Sequence, residues 1–62
     1  MTVFDYLNRN NVADFRIISM INWYCKTLYD STKTNKDPSN MLYDSIVENV
    51  YVTDSGIIEI EI

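Results

Sequence analysis

The one strongly nucleophilic side chain in this sequence is Cys25, and the chain holds no histidine to activate it. A thiol attacks as its thiolate, so a reactive cysteine needs a base or an electropositive site beside it. Cys25 instead ends the apolar stretch Ile17 to Cys25 and reads as a small buried hydrophobe. A single glycine leaves nothing from which to build a glycine-rich phosphate loop, since the known fingerprints need several. One cysteine without histidine gives no zinc site, and Asp54-Ser55-Gly56 followed by Glu59 and Glu61 lacks the ligand spacing of a calcium hand. Acid-base, nucleophilic and metal mechanisms all require particular groups to converge. The expectation is therefore a protein that is not an enzyme, uses no cofactor or metal, and acts by binding.

The carboxylates are the remaining chemical resource. Net charge is −4 and the isoelectric point is near 4.3. Residues 1–36 contain all five bases against Asp5, Asp14 and Asp30, a sum of +2, whereas residues 37–62 contain six acids and no base, a sum of −6. Direct nucleic-acid binding needs clustered lysine and arginine and is not expected. An acidic face offered to a partner with a basic surface is.

Three helices followed by a C-terminal antiparallel hairpin, an α+β fold in one domain spanning residues 1–62, would position these groups. Thr2 and Asp5 have capping-box spacing, which starts a short helix over about 3–9 with Val3, Phe4 and Leu7 on one side. Asn10-Asn11 breaks it, because asparagine tolerates left-handed geometry. A long central helix is then expected from about Val12 to about Ser31. Its core arc would hold Ile18, Ile21, Cys25, Leu28 and Tyr29, widened by Phe15, Ile17 and Tyr24. The polar run Ser31 to Lys36 reads as a loop, and Asp37-Pro38 caps a third helix to about Val47. From Asn49 the pattern alternates, and Asp54-Ser55-Gly56 reads as a three-residue hairpin loop. Pairing outward from it sets Val52 against Ile58, Tyr51 against Glu59, Val50 against Ile60 and Asn49 against Glu61.

Three surfaces follow. A ridge of Arg16, Met20, Trp23 and Thr27 lies opposite the expected core arc of the central helix, and tryptophan, methionine and arginine are enriched at interfaces. If another element folds over that side, the same ridge is core. The outer hairpin face places Glu59 and Glu61 about 6.6 to 6.8 Å apart, similar to successive phosphates. With Asp44, Glu48, Tyr51 and Asp54 nearby it could imitate a nucleic-acid backbone, or serve as an ordinary solvated face. The hairpin's free edge is the third surface, because a two-stranded sheet is marginal alone and self-pairing gives a homodimer with a four-stranded sheet.

In size, acidity and lack of catalytic groups the chain resembles the small inhibitors that bacterial viruses make against host nucleases, anti-CRISPR proteins among them. That is a likeness of class carried by no motif. The function expected is a non-catalytic inhibitor or adaptor that binds a host nucleic-acid-handling protein. The alternative is a structural or regulatory homo-oligomer, a scaffold or antitoxin-like partner, that uses Trp23 and the hairpin edge for self-association. No stretch is long and apolar enough for a membrane helix, and the N-terminus lacks the basic start and apolar core of a secretion signal. With the lone cysteine, this points to a cytoplasmic setting, that of the host if the protein is viral.

Overall fold

The computed structural model describes residues 1–62. The chain runs α1 (Val3–Asn10), β1 (Phe15–Ile21), β2 (Tyr24–Asp30), α2 (Asn40–Tyr43), β3 (Asn49–Val52) and β4 (Ile58–Glu61). The first and last parts form as their local chemistry dictates. The Thr2 hydroxyl accepts from the Asp5 amide at 3.2 Å while the Asp5 carboxylate accepts from the Thr2 amide at 3.5 Å, so two N-terminal donors of α1 are satisfied reciprocally. Asn11 ends the helix in left-handed geometry, φ 49°. The C-terminal hairpin has the expected register at all four positions, and its loop closes on Gly56 at φ 84°, a conformation in which side chains are strained.

The middle of the chain differs. The long central helix expected over 12–31 is absent, and the three-helix arrangement with it. Residues 15–30 instead form the β1–β2 hairpin around the two-residue loop Asn22-Trp23, and Asn22 supplies the positive φ of 57° that such loops require at their first position. Half of these sixteen residues are β-branched or aromatic: Phe15, Ile17, Ile18, Ile21, Trp23, Tyr24, Thr27 and Tyr29. Such side chains fit a pleated surface better than a helix. The expected third helix shrinks to the single turn of α2, with Ser39 as its cap.

β1 also pairs in parallel with β4, which joins the two hairpins into one mixed sheet of order β2-β1-β4-β3. The four-stranded sheet anticipated from a dimer is thus built within a single chain. On one face Tyr29, Ile17, Ile60 and Val50 line up across the four strands. The helices cover this face, and Val3, Ile17 and Ile60 are sealed between the layers. Tyr6, Leu7, Phe15, Leu42, Tyr43, Val47 and Ile58 pack around them. The Val3 amide donates to the Ser45 carbonyl and the Val47 amide to the Met1 carbonyl, both at 2.9 Å, stitching the N-terminus to the segment that leads into β3.

The expected core arc is redistributed. Ile17 and Ile18 are buried, whereas Ile21, Tyr24, Cys25 and Leu28 are exposed. The reason is the change of period: a strand alternates sides every residue, and β1–β2 extends past the end of β4, so its far half has no layer to pack against.

So small a core concentrates its energy in few residues. A domain of 62 residues has a total stability of about 3–9 kcal/mol. Truncating a buried isoleucine to alanine costs about 2–5 kcal/mol. Ile60→Ala should therefore unfold much of the population in chemical denaturation, while Val52→Ala, on the same hairpin but exposed, should change stability by less than about 0.5 kcal/mol. Equal losses would contradict this packing.

Candidate functional site

Two features of the sheet bring potentially functional side chains together: a polar row on the uncovered face and an arm that projects beyond the covering layer. The first is a polar row across all four strands. Asp30, Arg16, Glu59 and Tyr51 are cross-strand neighbours in register. The Arg16 guanidinium donates through Nε to Asp30 at 2.9 Å and through an Nη to Glu59 at 3.1 Å. Asp30 is itself buried, and its other oxygen accepts from the Thr32 hydroxyl at 2.6 Å and the Thr32 amide at 3.0 Å. These bonds to Thr32, followed by the one from Arg16, hold the Asp30 carboxyl down from its ordinary 3.8 to about 2. Its two carboxylates, Asp30 first, raise the pKa of Arg16 in turn. One residue pair along, Glu61 accepts from the Asn49 side-chain amide at 3.4 Å and from the Tyr51 hydroxyl at 2.9 Å, and this second bond is the chief cause that raises the Tyr51 hydroxyl above its ordinary 10.

Glu59 and Glu61 do share the outer face of the hairpin, as their spacing implies. Each is held by a neighbour of the same chain: Glu59 by Arg16 and Glu61 by Tyr51. Asp44, Glu48 and Asp54 take part in no ion pair; Glu48 and Asp54 flank β3 in the sequence, and Asp44 ends α2. These acidic residues therefore divide between an internally satisfied row and a set without ion pairs between α2 and the β3–β4 turn.

The second feature is the far half of β1–β2, an arm that runs beyond Ile18, the last β1 residue paired with β4. Trp23 stands at its tip, 100% exposed, which resolves the choice between a ridge and a core residue in favour of exposure. Around it Met20 is 48%, Ile21 54% and Tyr24 67% exposed, and Cys25 is exposed opposite Met20. The burial expected for Cys25 is overturned, because it belongs to this arm and not to a helix face. Arg16 and Met20 still share a side, now by the two-residue period of β1, and Thr27 joins them opposite Ile18. Trp23 sits apart on the turn. Sequence reasoning missed Ile21, Tyr24 and Asp30 as members of these features. The available signal was Asn22, whose tolerance of positive φ marks a turn between two flanking apolar runs.

The surface has no enclosed pocket, and no three of the Cys, Asp and Glu side chains converge in a set able to hold a metal ion. No helix is long and apolar enough to cross a membrane. No protein-family model matches the chain, and comparison with curated proteins and with solved structures gives no match either.

The Asp30 bonds have a pH signature. Because the folded-state pKa is depressed, the stabilisation is complete above the ordinary 3.8 and is lost as pH falls from there through about 2. Acid titration followed by circular dichroism should show a steeper loss of stability in that window for the wild type than for Asp30→Asn, which has no charge to lose. Superimposable profiles would mean that the row contributes nothing.

Proposed function

We propose that this chain is a non-catalytic protein-binding module, an inhibitor or adaptor, that engages its partner through the β1–β2 arm. The observation that carries this reading is the complete exposure of Trp23 at the tip of a two-residue turn, flanked by Met20, Ile21 and Tyr24. Leaving a tryptophan and three other large apolar side chains in water forgoes several kcal/mol of burial at about 1.5–3 kcal/mol for each aliphatic side chain. By the alternation of β1, Ile21 and Tyr24 lie on one side of the ribbon and Met20 on the other, so the arm presents apolar groups to a partner on both sides of its tip. A projecting hairpin reaches into a groove that a flat sheet face cannot enter, and tryptophan is among the residue types that anchor interfaces.

The polar row has a different part in this reading. Its carboxylates are already satisfied by Arg16, Tyr51 and Asn49, so it acts as a rigid floor from which the arm projects. A net charge of −4 favours a partner with basic groups and speeds encounter with it.

Trp23→Ala tests the proposal. The side chain touches nothing in the free protein, so melting temperature should stay within about a degree or two of wild type. Retention of a partner captured on immobilised wild-type protein should fall roughly thirtyfold or more, the equivalent of about 2 kcal/mol. Tryptophan emission should be that of a water-exposed indole in the free protein and shift to the blue in the complex. Equal retention by both forms, with unshifted emission, would remove the arm from the function.

A further inference from the structure

The two outer strands of the sheet, β2 and β3, are both unpaired on their outer sides and differ in charge. We propose that they are complementary docking edges for a second copy of this chain, β2 of one molecule pairing with β3 of the next. The inference is independent of the role given to Trp23.

The backbone supplies the first argument. In a two-residue hairpin the closing pair, here Ile21 and Tyr24, is the hydrogen-bonded one, and bonded and non-bonded pairs alternate from it. Cys25 and Thr27 therefore turn their N–H and C=O groups outward, away from β1. The bond from the Ile62 amide to the Ile18 carbonyl at 3.0 Å agrees, because it shows Ile18, the partner of Thr27, facing β4. On the other edge, the Thr53 amide donates to Ile57 at 2.9 Å, which fixes Thr53 as a bonded position and leaves Val50 and Val52 with outward groups. Each edge thus offers two residues with free donors and acceptors at the spacing of a strand partner.

Charge decides between possible pairings. Lys26 lies on β2, and Lys33 and Lys36 lie in the loop after it, which is folded back by the bond from the Tyr29 hydroxyl to the Lys36 carbonyl. None of the three is in an ion pair; of the acids nearby, Asp30 is bound to Arg16 and only Asp37 is free. Glu48 and Asp54 flank β3 in the sequence, Asp44 precedes it at the end of α2, and residues 37–62 contain no base. A twofold β2–β2 contact would bring lysines together and a β3–β3 contact would bring carboxylates together, whereas β2 on β3 joins opposite signs. Exposed apolar groups on the same edges, Tyr24 and Leu28 on one and Tyr51 and Val52 on the other, would be covered in part. A head-to-tail contact does not close on itself as a twofold does, so it yields chains or rings.

The test uses one proline per edge, since proline removes a single outward donor and is tolerated on edge strands. In sedimentation velocity at low ionic strength, wild type should form species larger than dimer as concentration rises and should return toward monomer in high salt. Thr27→Pro and Val50→Pro should each be monomeric alone, and their equimolar mixture should give a one-to-one dimer and nothing larger, because each variant retains the edge that the other lacks. Circular dichroism of each variant checks that it is folded. If either is not, Lys26→Glu keeps the backbone edge and should weaken self-association roughly fivefold to tenfold at low salt. A wild type that stays monomeric overturns the proposal, as does a Val50→Pro or Thr27→Pro variant that dimerises alone, or self-association indifferent to Lys26→Glu.

Discussion

The parallel pairing of β1 with β4 is the contact on which the rest of the molecule depends. Without it there are two hairpins, each marginal in water, separated by a loop and a single helical turn. With it Ile17 and Ile60 become neighbours in the centre of a four-stranded sheet, shielded by strands on both sides and by the helices above. Directly behind that apolar pair, on the other face, Arg16 bridges Asp30 and Glu59. The junction is thus held from both faces, by burial on one and by charge-assisted hydrogen bonds on the other. Because Asp30 also fixes the turn through Thr32, the bridge sets where β2 ends and the following loop begins.

The same junction explains why so much apolar surface stays outside. Its hydrogen bonds stop at Ile18, so residues 19–26 continue as a two-stranded ribbon without a covering layer. Only six of 62 residues are buried, and a single cysteine cannot close a disulfide within the chain to offset this thin core. A chain with that little core gains more from covering its arm or its edges than a larger domain would, which is why both proposals rest on contact surfaces.

What the sequence revealed divides according to the range of the interactions. The first helix and the C-terminal hairpin are specified locally: Thr2 and Asp5 cap each other, Asn11 and Gly56 take the left-handed positions, and the alternation from Asn49 to Glu61 admits only one register that matches apolar with apolar. Residues 15–30 are different. Ile17, Ile18, Ile21, Cys25, Leu28 and Tyr29 satisfy a helical period as well as a strand one, and Asn22-Trp23 is a weaker turn signal than an asparagine-glycine pair. What selects the strand is Ile60, more than 40 residues downstream from Ile17, and such a partner is invisible to local periodicity. The candidate residues shift with it: the sequence marks Glu59, Tyr51 and Arg16 individually, but their common row is legible only once β1 and β4 are adjacent.

That adjacency can be observed directly by isotope-edited nuclear Overhauser spectroscopy of the free protein at a concentration where it is monomeric. The account requires interstrand backbone contacts linking Arg16–Ile18 with Ile58–Ile62, together with cross-strand contacts between Met20 and Cys25. Sequential helical contacts between residues three apart from Val12 to Ser31, with none between β1 and β4, would contradict the fold and with it both contact surfaces derived from it.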